Sequence, residues 1–137
     1  MRDYRKILDH ADLVRTLDLT QPVALMLVAI LHFIVDADDP YGIVAGLRAA
    51  LSSGSYLIVS HGTWDHLSPD VRARLEATFR PGEGQPRTKE EVLRFFDGLE
   101  LVAPGVVSVA GWRAENEPPP RLTPAETASY GAVARVP

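Results

Sequence analysis

The run Val23-Ala-Leu-Met-Leu-Val-Ala-Ile-Leu31 constrains the fold of this chain more than any other stretch. A strand with one wet face alternates polar and apolar residues, and Val23–Ile30 does not. The pattern predicts a strand in the middle of a parallel sheet, with helices on both faces. Pro22 stands where a strand can begin without losing a ladder hydrogen bond. The run continues through His32, Phe33, Ile34 and Val35 and is closed by Asp36, Asp38 and Asp39. It is too short and too interrupted to cross a bilayer, so no membrane partner is expected.

Local signals place the remaining elements. Residues 3–17 carry Ile7, Leu8, Leu13 and Val14 among charges and predict short helical turns. Asp39-Pro40 starts a helix as N-cap and first-turn proline, and Ile43, Val44, Leu47, Ala50 and Leu51 recur at helical spacing before Gly54. Ser55–Ser60 predicts a second apolar strand. Ser68-Pro69 opens another helix with a Val71, Leu75, Phe79 stripe, and residues 81–86 form a loop by composition. Thr88-Lys-Glu-Glu91 is a capping box before Val92, Leu93, Phe95 and Phe96, and Gly98 ends that helix. Short β pieces are expected around Pro104-Gly105, an exposed connection over 115–124, and a last strand over Tyr130–Val136. The alternation of strand and helix implies parallel pairing with right-handed crossovers, and the last two strands, with no helix expected between them, imply an antiparallel pair at one edge.

Composition narrows the chemistry. The 137 residues contain no cysteine, which excludes a disulfide framework, a CxxC redox centre and a thiolate zinc site. Fourteen Lys and Arg against eighteen Asp and Glu leave a net charge of −4, without the basic cluster that a nucleic-acid surface requires. Charged residues follow Met1 and no apolar segment suits a signal peptide, so a cytoplasmic protein is expected. No Gly-x-Ser-x-Gly elbow and no phosphate-binding Gly-x-x-x-x-Gly-Lys occurs.

Four stretches taken together resemble one bacterial family of S-adenosylmethionine (SAM)-dependent methyltransferases, once known as a domain of unknown function. They are Pro22 to Pro40, Gly54 to His61, Phe95 to Val107 and the pair Trp112-Arg113. The resemblance implies the C-terminal half of a Rossmann-like class I methyltransferase: a mostly parallel α/β sheet with an antiparallel C-terminal strand pair and helices on both faces. Such enzymes hold SAM with a glycine-rich turn after the first strand and an acidic residue after the second. Gly82-Glu-Gly84, in a proline-flanked loop far downstream, is not that turn. Asp3 resembles the aspartate that follows the family's third strand, so residues 1–137 are expected to form one partial domain. In the family's sheet the strand 23–30 neighbours the first strand. Without that neighbour it becomes an apolar edge, and a homo-oligomer or the N-terminal half joined through 23–30 is expected.

The resemblance also implies a site. Ala29, Ile30, Leu31 and His32 would touch SAM as cofactor, and His32, with a pKa near working pH, would serve as general base. A bond from His32 to a neighbouring loop is the alternative. Asp36, His61 and Trp64 would border a small-molecule acceptor, against a solvated Asp36 and a Trp64 that merely packs its loop. Asp36, Asp38 and Asp39 lack the glycine and distal glutamate of a calcium loop, and His61-Gly-Thr-Trp-Asp-His66 lacks further zinc ligands, so no metal is expected. The implied function is methyl transfer from SAM to a small molecule, with this chain alone binding SAM weakly or not at all. The alternative is a non-catalytic interaction module that retains the half-fold.

Overall fold

The apolar run forms β1 (Ala24–Val28) in the computed structural model, which describes residues 3–80, Gly82 and residues 84–137. Met1, Arg2, Pro81 and Glu83, the last two within the expected 81–86 loop, lie outside the described residues. β1 pairs in parallel with β2 (Tyr56–Gly62), Leu27 opposite Val59. β2 pairs antiparallel with the last strand, β5 (Ser129–Arg135), and β5 carries on its other side the short strands β3 (Glu100–Leu101) and β4 (Val107–Ser108). The mixed α/β sheet therefore runs from a parallel pair at one edge to an antiparallel C-terminal group at the other.

Caps fix where the principal helices begin. Asp39 accepts a hydrogen bond from the Gly42 N–H and Pro40 opens α3 (Pro40–Ala49). Ser68 caps α4 (Pro69–Thr78), and Thr88 with Glu91 closes a reciprocal capping box on α5 (Lys89–Leu93). Two short N-terminal helices, α1 (Tyr4–Leu8) and α2 (Ala11–Thr16), precede the sheet. α1 leans on α3 where Gly46 leaves room for the Tyr4 ring. One more turn, α6 (Pro124–Thr127), opened by a Thr123–Glu126 capping box, begins where the expected connection 115–124 ends.

One face of the sheet holds the core. Leu27, Leu57, Val59, Ala132 and Ala134 meet Ile43, Val44 and Leu47 of α3 and the Val92, Phe95, Phe96 cluster that follows Thr88. Each large aliphatic side chain buried there contributes about 1.5–3 kcal/mol. On the opposite face Val109 of the turn before Trp112 lies against Gly131. β1 has β2 as its one strand neighbour among the described residues, and Met26 and Val28 on that opposite face are 63% and 52% exposed. The apolar run thus has the exposed edge expected of a strand without its second neighbour. No described helix is long and apolar enough to cross a membrane.

Leu57→Ala is expected to cost about 2–5 kcal/mol, because it opens a cavity among fully buried neighbours. Met26→Lys, on the exposed face, is expected to change stability by no more than about 0.5 kcal/mol. Urea unfolding followed by circular dichroism measures both, and equal costs would mean that β1 is covered on both faces.

Candidate functional site

The carboxyl ends of β1 and β2 meet the loop that leads into α5, and a buried arginine joins the three segments. Arg87 is 1% exposed. Its Nη1 donates to the Leu31 carbonyl (3.3 Å) and to His61 Nε2 (2.8 Å). Its Nη2 donates to the Ile34 carbonyl (3.0 Å) and to Asp36 Oδ1 (2.7 Å), while its backbone N–H reaches the Gly62 carbonyl. A guanidinium only donates, so His61 Nε2 must accept. The proton of the neutral His61 ring then sits on Nδ1, which donates to the Gly62 carbonyl at 2.8 Å. Burial, with the nearby Arg87 charge, pushes the His61 pKa down to about 4.

The turn after β1 is shaped by this anchor. Ala29 adopts a left-handed conformation with φ of 53°, uncommon for a residue with a Cβ, and its N–H is held by Ser60. The turn Leu31–Phe33 follows. Gln85 N–H bonds the His32 carbonyl at 2.6 Å, and Gln85 Oε1 accepts from the Asp36 N–H. That approach depends on Gly84, where an added Cβ would stand 2.9 Å from the His32 oxygen. Asp65 steadies the loop after β2, because it accepts from both the Tyr130 hydroxyl and the Lys89 N–H.

Between these loops lies a cavity of about 360 Å³, bordered by His32, Phe33, Gly62, Trp64, Leu75 and Phe79 among others. His32 contacts Phe33 at 4.3 Å between ring centroids and His61 edge-on at 5.8 Å. Its Nδ1 is buried and has no hydrogen-bond partner. Burial, and secondarily the Arg87 charge, lowers its pKa and keeps the imidazole neutral. Trp64 packs edge-to-face on Phe79 at 5.4 Å.

The expected site residues separate into two groups. His32 and Trp64 line the cavity, whereas Ala29 and Ile30 stand on the turn before His32 and do not line it, with Ile30 38% exposed. Leu31 is fully buried in the core and contributes its carbonyl to Arg87. His61 lies within β2 rather than in the loop beyond it, because the antiparallel pairing with Tyr130 and Ser129 extends that strand through Gly62. Its side chain therefore points into the core face, with no exposure. Asp36 does not line the cavity and its side chain is 57% exposed, yet it is held in place: the Arg87 guanidinium and Gln85 keep its carboxyl below the usual carboxylate range. Arg87, Gln85 and Phe79 complete the arrangement. The Val71, Leu75, Phe79 spacing marked Phe79 as part of a helix face, but no local pattern distinguishes Arg87 or Gln85. Among the described residues no group of three or more His, Cys, Asp or Glu could hold a metal ion.

A histidine with a lowered folded pKa contributes stability that is present above the unfolded value of 6.5 and is lost as pH falls toward about 4. Over that window His61 is expected to remove up to about 3 kcal/mol of unfolding free energy. Asp36, whose carboxyl is lowered, extends the loss below its ordinary value of 3.8. Urea unfolding across this range measures the slope. His61→Gln keeps an acceptor for Arg87 without titrating and should flatten it, and an unchanged slope would show that His61 is already protonated in the fold.

Comparison with known proteins identifies the lineage. The S-adenosyl methyltransferase family model matches residues 1–137. No curated protein matches the chain. The crystal structure of a DUF574 family protein from Streptomyces avermitilis is 42% identical with a TM-score of 0.83, over 99% of this chain and 52% of that one. A putative methyltransferase from Thermobifida fusca is 37% identical with a TM-score of 0.81, over 98% of this chain and 51% of that one. This chain thus spans about half the length of these solved relatives. The N-methyltransferase NodS from Bradyrhizobium japonicum, solved with S-adenosyl-L-homocysteine, shares the fold at 12% identity, with a TM-score of 0.51 over 88% of this chain and 52% of its own. With the family model spanning every residue, the chain belongs to the S-adenosyl methyltransferase family.

Proposed function

We propose that this chain supplies the acceptor side of a SAM-dependent methyltransferase site, at the carboxyl ends of β1 and β2, and acts on a small molecule. The observation that carries this reading is His32: a neutral imidazole with a buried, unpartnered Nδ1, on the wall of a cavity beside the strained turn at Ala29. Ligands of open α/β sheets bind at the carboxyl ends of strands. His32 takes the proton from an acceptor O–H or N–H as that atom attacks, and the cavity holds the acceptor in line and away from water.

When bound, SAM supplies an electrophilic methyl group on its sulfonium. The residues present fit one flank of it. Ala29 and the exposed Ile30 offer backbone and apolar surface, while Asp36, the carboxylate nearest that turn in sequence, is already engaged by Arg87 and Gln85. The chain is read as the C-terminal part of one methyltransferase domain, with the remaining SAM contacts supplied by an N-terminal half.

A second reading is favoured by the exposed Met26 and Val28: an interaction module that pairs β1 with a second copy or with such a half. Light scattering separates the two readings, since a monomer at high concentration counts against the module.

Calorimetry of the 137-residue chain with SAM and its demethylated product is expected to show weak binding or none, and low-micromolar affinity would overturn the one-flank reading. Where SAM is turned over, His32→Gln is expected to lower kcat/KM by roughly 10²- to 10⁴-fold. The rate should stay level above pH 6.5 and fall only at more acidic pH, because the lowered pKa keeps His32 deprotonated. An unaffected His32→Gln rate would remove the base from the mechanism.

A further inference from the structure

The lining of the cavity narrows the acceptor beyond "small molecule". Leu75 comes from α4, a helix with no buried residue, and Phe79 directly follows its last turn, so this apolar pair serves the cavity rather than the core. Phe33 is 59% exposed and Phe79 37%, and both are left in water at the rim unless something covers them. Trp64 stands edge-to-face to Phe79, an arrangement whose free ring faces favour another aromatic ring. Among the described residues no Asp, Glu, Lys or Arg borders the cavity. The nearest buried cation, Arg87, is turned to Leu31, Ile34, Asp36 and His61. A charged ligand would enter without a counter-charge, which is costly in an apolar site.

Polar side chains on the wall can orient a ligand: His32, Thr63 and Gln85 line the cavity, and His32 Nδ1 has no hydrogen-bond partner, with Gly62 beside it, where an added Cβ would lie 3.9 Å from that nitrogen. A volume of about 360 Å³ is at the small end of ligand cavities and suits a molecule of one or two rings.

Resting on the methyl-transfer reading above, we propose that the acceptor is an uncharged, flat aromatic molecule with one O–H or N–H, laid against the free faces of the Trp64–Phe79 pair with that group directed at His32. The apolar wall selects the ring, the lack of charged groups among its described lining residues disfavours carboxylates and amines that are ionised, and the imidazole selects a proton donor.

The test is a nuclear magnetic resonance titration of the 15N-labelled 137-residue chain, without SAM, following the Trp64 indole N–H. Naphthol, naphthoate and decahydronaphthol serve as probes. Naphthol is expected to shift the signal saturably and to bind about tenfold or more tighter than either of the others. Phe79→Ala, at a half-exposed position, should weaken naphthol by about tenfold while the spectrum stays dispersed. Gly62→Ala, which adds a methyl group beside His32, should reduce the preference for naphthol over naphthalene, titrated as a further control without the hydroxyl. Binding in this order supports the proposal even where no methyl transfer is detected, which separates its failure from that of the reading beneath it. Equal binding of the three probes, tighter binding of naphthoate, or no binding of naphthol overturns it.

Discussion

Arg87 is the constraint on which the arrangement at the sheet's carboxyl end depends. A guanidinium withdrawn from water needs acceptors for its donors, and loss of its carboxylate partner would leave an uncompensated charge in the interior. The two terminal nitrogens of Arg87 find acceptors on the turn after β1, at Asp36 and on His61 of β2, while Nε has no partner and the backbone N–H bonds the end of β2. Three segments far apart in sequence are thereby held at one point. Gln85 adds two bonds from the same loop, one to the His32 carbonyl and one to the Asp36 N–H. The backbone that presents His32 is therefore fixed from behind by polar contacts, with the aromatic wall left free in front.

The same charge divides two histidines of similar sequence appearance. His61 accepts from Arg87 and donates to Gly62, so both ring nitrogens are committed and its role is structural. His32 lies one ring away, is kept neutral by burial and by Arg87, and has a nitrogen without a partner. A neutral imidazole with an uncommitted nitrogen is what the proposed proton transfer requires. The polar interior of this region thus prepares His32 without touching the cavity itself.

Several elements were legible because their signals are local. Asp39-Pro40, Ser68-Pro69 and Thr88 to Glu91 cap helices through contacts within one turn, and each helix begins where the pattern placed it. The Thr123–Glu126 box is equally local, yet it sits in a proline-rich stretch whose composition reads as connection. The length of β2 was not legible, since its last two residues are strand only through pairing with Tyr130 and Ser129, nearly seventy positions away in the chain. That extension turned His61 from an expected loop residue into a core residue.

The sequence by itself determined the class of fold and the family. These rest on hydrophobic period, caps and motif order, all of which are properties of neighbouring residues. Which side chains face the opening was decided only by the tertiary structure. Leu31 and His32 are adjacent, but the turn at Ala29 buries one and leaves the other on the cavity wall. Arg87 carries no pattern of its own, because its meaning comes from acceptors between 26 and 56 positions away. Burial of a charge is a property of the assembled interior, and no local arrangement of residues can specify it.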